Sequence, residues 1–355
     1  MHFLNSYRSH LFPLLLLGTV GATQAQNPHF QLYIAFGQSN MEGAVNTPEA
    51  QDKVVNPRYL ELPAVTCNSG GRSMTQGTWT PAISPTVRCD TKISVVDWFG
   101  RTMADSLPTS DTIGLVVVAV GGTKIEGFDL DKYQAYYAGQ ASWMQAFAAN
   151  YGGNPYGRLV TVAKQAQQRG VIKGILLHQG ESNVGDNAWA GEVKKIYEKL
   201  LSDLGLTAAN VPLLAGEVAP NGSSKGANTM IDALPNTIPT AHVVSAQGLV
   251  TTTADGQNVH FDAPSYRTMG KRYAQSMLAI LRQQATGIEP VPATTIGTSS
   301  QDWTVYNLKG VSVARFQSSE MDHGTGWNQV RQALPSGTYW LKPKIGSAIM
   351  TVNGR

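Results

Sequence analysis

Ile113 to Val120 is a valine-rich apolar run without a charged residue. A segment of that length and β-branched content is a strand buried on both faces, which requires a parallel sheet covered by helices. It ends in Gly121-Gly122-Thr123. Four other runs share its character: Gln31–Phe36, Ile172–His178, Val211–Val218 and Ala241–Ala246. Between them lie segments with apolar residues at helical spacing. These are Ile93–Met103, stopped by Pro108; Tyr156–Arg169, with Gly170 as a C-cap; Asn187–Leu204; and Pro264–Gln284. Strand and helix alternate five times. The expected fold class is therefore α/β: a flavodoxin-like three-layer α/β/α sandwich with a five-stranded parallel sheet.

That domain is expected to fill residues 27–285 of the 355. Residues 1–25 read as a signal peptide: Arg8 is followed by a short apolar run, Leu11–Val20, and by cleavage sites after Ala22 or Ala25. The run is too short to span a bilayer comfortably, although an N-terminal anchor is the alternative. No other membrane span is expected, so the mature chain reads as secreted or cell-surface. Charged residues make up only 14% of the chain and no dense Lys/Arg cluster occurs, which excludes a nucleic-acid footprint. Cys67 and Cys89 are the two cysteines. With no histidine beside them, and in an exported chain, they read as a disulfide rather than a metal site. They lie in a Pro-, Gly- and Thr-rich excursion over residues 44–91. Residues 286–300 have linker composition, and 301–355 form a small β-rich C-terminal module with runs at 303–307, 311–316, 337–342 and 348–352.

The chemistry-bearing residues follow strand ends. The first strand stops at Gly37, and Ser39 follows in Gly37-Gln38-Ser39-Asn40-Met41-Glu42-Gly43. In open α/β sheets ligands bind beyond the strand C-termini, so Ser39 is either a nucleophile or a helix cap. The second strand offers Gly121 and Gly122, whose N–H groups can face an oxyanion. The third ends in His178-Gln179-Gly180-Glu181-Ser182-Asn183, with an amide donor and a carboxylate. His260, after the fifth strand, is the candidate base for Ser39, and Glu181, Asp255 and Asp262 are candidate acids to orient it.

These stretches in this order resemble the SGNH/GDSL hydrolase superfamily. More narrowly the chain is similar to carbohydrate esterase family 6 acetyl xylan esterases and the related sialate O-acetylesterases, over roughly residues 30–284. The resemblance implies that Ser39 is the nucleophile and His260 the base, with Gly122, the Ser39 N–H and Gln179 as the oxyanion hole. It implies no cofactor and no metal. The family often places Asp three residues before the histidine, where this chain has Gln257. Glu181 is then the preferred acid and Asp255 the second choice. The implied activity is removal of acetyl groups from acetylated xylan through an acetyl-serine. A sialate or other polysaccharide deacetylase is the alternative, and a non-catalytic glycan-binding protein the third reading.

The module at 301–355 resembles a sorting or surface-attachment module that would engage export or cell-surface machinery. A carbohydrate-binding module is the competing reading, helped by Trp303, Trp327 and Trp340. Trp79, Tyr133, Tyr136, Tyr137 and Trp143, in the excursion and the 123–154 loop, are candidates to stack on sugar rings.

Overall fold

The structure, a computed structural model, describes residues 26–254, 256–286, 303–307, 312–316, 337–343 and 348–352. The chain divides into two compact units at Ile280 and Leu281.

The first unit is built on β1 (Asn27–Gly37), which leads into a single helical turn, α1 (Ser39–Glu42). The excursion that follows carries β2 (Tyr59–Glu61), the hairpin β3 (Cys67–Ser69) and β4 (Arg72–Met74), and β5 (Thr80–Pro81). Cys67 and Cys89 are joined in a disulfide, with 5.9 Å between their Cα atoms. Then come α2 (Val95–Ser106), β6 (Thr112–Ala119), α3 (Tyr133–Ala138), α4 (Ser142–Ala149), α5 (Pro155–Gln167) and β7 (Gly170–His178). The unit ends with α6 (Trp189–Leu204), β8 (Leu213–Gly216), α7 (Ala227–Asp232), β9 (Ala241–Val244) and α8 (Ala263–Thr286).

The sheet order is β5-β2-β6-β1-β7-β8-β9, parallel throughout except for β5. Two edge strands therefore extend the expected five. They come from the excursion and are two and three residues long, too short to carry a readable alternation. The long central strands divide their faces by the period of two. Phe30, Leu32, Ile34 and Phe36 of β1 enter the core built with Leu159, Val162 and Ile196 of α5 and α6. Tyr33, between them, meets Phe99 of α2 edge-on at 5.0 Å, on the other face. Each such fully buried side chain stabilises by about 1.5–3 kcal/mol relative to exposure.

Helix starts are set by local chemistry. Ser94 caps α2 and forms a capping box with Asp97, whose carboxylate also accepts from Ser84 and Thr86. Burial pushes the Asp97 carboxyl up to about 6 despite those donors. Asn154 caps α5 by accepting from the Gly157 N–H at 2.8 Å, and Pro155 occupies the first turn.

The second unit holds an antiparallel sheet of β10 (Trp303–Asn307), β11 (Ser312–Phe316), β12 (Gly337–Pro343) and β13 (Ala348–Val352), in the order β11-β10-β12-β13. Residues 1–25, the linker residues from 287 and the turns of this module lie outside the described residues, together with the signal-peptide and sorting readings that rest on them. Among the described residues no helix is long and apolar enough to cross a membrane.

Candidate active site

The register of the central strands assembles the site. Gly37 at the end of β1 pairs with Ala119 of β6 on one side and His178 of β7 on the other. The three loops that follow therefore start side by side at one sheet edge. Gly37 is required there: a Cβ would lie 2.1 Å from the His178 carbonyl oxygen. The close approach lets the Gln38 N–H donate to that same carbonyl at 3.0 Å.

Ser39 is the first residue of α1, so its N–H has no partner within the helix and faces outward with the helix start. Its Oγ lies 2.8 Å from His260 Nε2. Both side chains are nearly buried, at 7% and 6% exposure. His260 sits on the loop between β9 and α8. That loop is closed by Thr252 donating to the His260 carbonyl at 2.8 Å and by a bridge between Thr251 and Phe261.

Asn40 carries more than its place beside Ser39 suggested. Its Oδ1 accepts from the Phe261 N–H at 3.2 Å, and its Nδ2 reaches the Val259 carbonyl at 3.3 Å. It thus grips the backbone on both sides of His260. Tyr266 of α8 donates to the same Oδ1 at 2.7 Å. The neighbour of Ser39 thus sets the position of His260. The only sequence signal for this was adjacency to Ser39.

Glu181 lies in the same buried network but on Asn40: Asn40 Nδ2 donates to Glu181 Oε1 at 2.7 Å. His178 Nε2 is 3.9 Å from that oxygen, and burial depresses the His178 pKa. Among the described residues Glu181 makes no hydrogen bond to His260. The near oxygen of Glu181, the acid preferred from the sequence, is thus committed to Asn40. Asp255 lies outside the described residues. Asp262 is turned to α8, where its Oδ1 accepts from the Ser265 N–H at 2.8 Å.

Gly122 takes a φ of +71°, a conformation that favours glycine, and borders the same cleft as Ser39. Its carbonyl is held by Ser182 Oγ at 2.9 Å. Gln179 does not join it. The Gln179 amide is 1% exposed, and its nitrogen donates to Asn183 at 2.7 Å and to Gln38 at 3.1 Å while its oxygen accepts from Trp189. Its donors are engaged in tying the third loop to the first.

The cleft over Ser39 has a volume of about 370 Å³. One wall is Trp143, 51% exposed, packed edge-on against Phe147 at 5.7 Å. Arg88, Asp90 and Thr91 also line the cleft, next to the disulfide at Cys89. Arg88 pairs with Glu42 and with Asp90 and stacks 5.0 Å over the Phe147 ring. Trp79, another candidate for sugar stacking, instead packs on Phe30, with ring centroids 4.8 Å apart, and Tyr137 is buried. Among the described residues no group of three or more His, Cys, Asp or Glu is placed to hold a metal ion.

A serine hydroxyl hydrogen-bonded to an imidazole, beside two backbone N–H groups and under an open cleft, is an arrangement for acyl transfer. The fold is shared with solved structures. A protein from Arabidopsis thaliana is 22% identical, with a TM-score of 0.52 over 71% of this chain and 99% of its own. NanS is 16% identical, with a TM-score of 0.56 over 73% of this chain and 100% of its own. The family model described as carbohydrate esterase, sialic acid-specific acetylesterase, matches residues 29–279 and so takes in each of these loops. The chain belongs to that carbohydrate esterase family.

Proposed function

We propose that the protein is a serine carbohydrate O-acetylesterase. The observation that carries this reading is the 2.8 Å contact between Ser39 Oγ and His260 Nε2. In the proposed reaction His260 Nε2 takes the Ser39 proton as Oγ attacks the acetyl carbonyl. The Ser39 and Gly122 N–H groups hold the oxyanion, each donor contributing about 3 kcal/mol. His260 then returns the proton to the leaving sugar hydroxyl, and water hydrolyses the acetyl-serine by the same route. We assign the orientation of His260 to Asp255, five residues earlier on the same closed loop; the commitment of Glu181 to Asn40 supports this.

The substrate we propose is a neutral acetylated polysaccharide of the xylan type. Among the described residues lining the cleft, Arg88 is the one Lys or Arg, and Glu42 and Asp90 both engage it. A sugar carboxylate would meet no unclaimed positive charge there, whereas Trp143 offers a face for a neutral ring. The description of the family favours the second reading, a sialate O-acetylesterase. Export to the cell surface or medium is also proposed, supported by the Cys67–Cys89 disulfide, which suits an oxidising compartment.

The test is acetate release from acetylated xylan and from O-acetylated sialic acid, with wild type and Ser39→Ala. Release from xylan that disappears in the variant is expected. Release from the sialic acid alone keeps the mechanism and moves the substrate. A folded wild type that releases acetate from neither, yet binds glycan, supports a binding protein instead.

A further inference from the structure

Glu42 closes the stretch that holds the nucleophile, and the reaction above leaves it without a task. It is 3% exposed and borders the Ser39 cleft. A buried carboxylate is costly unless paired. Burial does raise its pKa, against the opposing pull of Arg88. Its partners are specific. One oxygen takes the Arg88 guanidinium. The other oxygen lies against the backbone of Gly121. A Cβ on Gly121 would stand 2.6 Å from Glu42 Oε2, so the turn and the carboxylate are in close contact.

Gly121 directly precedes Gly122, the proposed oxyanion donor. The turn is tied at its other points by Ser182 Oγ to the Gly122 carbonyl and by the Thr123 N–H to the Val120 carbonyl at 3.2 Å. Glu42 lies against the residue immediately before the donor. We propose that Glu42 is a positioning residue of the oxyanion hole, its carboxylate packed against Gly121 so that the Gly122 N–H stays aimed at the reacting carbonyl, while Arg88 cancels the carboxylate's charge. The cancellation matters because a bare carboxylate beside the hole would oppose the developing oxyanion. Arg88 is held for this purpose in a tight turn. The Thr91 N–H donates to the Arg88 carbonyl at 3.1 Å, the Arg88 N–H donates to Thr91 Oγ1 at 3.2 Å, and the adjoining Cys89 is bound to Cys67.

The inference rests on the serine-esterase reading, and the experiment separates the two. The kcat and KM for 4-nitrophenyl acetate are measured for wild type, Ser39→Ala, Glu42→Ala, Glu42→Gln and Arg88→Met, with folding checked by circular dichroism and thermal melting. Glu42→Ala is expected to lose about 50-fold in kcat with KM within about threefold, because the donor is lost in the transition state. Glu42→Gln keeps the size and shape that pack against Gly121 and is expected to stay within about fivefold in kcat. Arg88→Met is expected to fall like Glu42→Ala, and the Glu42→Gln/Arg88→Met double variant to recover most of that loss. A folded Glu42→Ala with kcat within about threefold of wild type, or with its loss confined to KM, overturns the inference. Should Glu42→Ala not fold, Arg88→Met and the double variant decide it, and full kcat in Arg88→Met overturns it. Turnover that Ser39→Ala fails to abolish overturns both readings.

Discussion

Asn40 Nδ2 donates to Glu181 Oε1 at 2.7 Å, so the carboxylate of the His-Gln-Gly-Glu stretch holds the neighbour of the nucleophile and not the ring of the base. Asp255→Asn is therefore expected to lower kcat/KM by on the order of 10³ or more, as a base left in the wrong tautomer does. Glu181→Gln retains an oxygen for Asn40 and is expected to cost about tenfold. Steady-state kinetics of the two variants on one substrate check the order, and a larger loss in Glu181→Gln would restore Glu181 as the orienting acid.

Gly122→Ala puts a side chain on a backbone with φ +71° and brings its Cβ within 2.8 Å of the Trp143 ring. The left-handed backbone costs about 1–2 kcal/mol for a non-glycine residue. Relaxing that strain rotates the N–H away from the oxyanion. The expected loss is about 10²–10³ in kcat with a small drop in melting temperature. A variant of unchanged kcat would remove Gly122 from the oxyanion hole.

Burial depresses the pKa values of His178 and His242 below 6.5, their ordinary value. In the unfolded chain both bind protons as pH falls through 6.5, and in the folded chain they resist. Their stabilising contribution is thus present above that pH and is lost as pH falls. Asp97 works in the opposite direction. Its carboxyl sits at about 6 when folded, so the native state holds its proton more tightly, and this contribution fades as pH rises from about 4 to 6. Comparing variants isolates the histidine. Melting temperatures of wild type and His178→Asn at pH 7.5 and 5 are expected to differ less at pH 5. An equal gap at both values would mean that His178 takes up a proton without cost.

The disulfide closes a loop with a sequence separation of 22 residues. Cys67→Ser/Cys89→Ser is expected to lose about 3 kcal/mol of stability in the chain-entropy model. The Ser39–His260 pair lies on other loops, whereas Arg88, Asp90 and Thr91 adjoin Cys89. Urea unfolding should therefore show the loss, and kinetics at low temperature should show a larger rise in KM for a polymer than for 4-nitrophenyl acetate. Equal KM changes for both would separate the disulfide from the polymer-facing wall.

The central strands and their flanking helices were legible because each is a local pattern. The runs at 31–36, 113–120 and 172–178 carry enough apolar residues to declare burial on both faces, and the apolar spacing of 93–103 and 156–169 marks two of the helices. The strands β2 and β5 escaped because two or three residues carry no period. They exist by pairing with an edge already present.

The sequence by itself determined that Ser39, Gly122 and Glu181 follow parallel strands, and hence that they gather at one sheet edge, because strand direction alone dictates which ends meet. It also offered His260 as the candidate base, and the fold brings its Nε2 to 2.8 Å from Ser39 Oγ. The tertiary structure decided how the side chains divide the work: Glu181 turned to Asn40, Gln179 spent on Asn183, Gln38 and Trp189, and Glu42 set beside Gly121 with Arg88 against it. A hydrogen bond depends on tenths of an ångström and on competition among every nearby donor and acceptor. That competition spans residues as far apart as 226 positions, as Asn40 and Tyr266 are, and it exists only once the chain is folded.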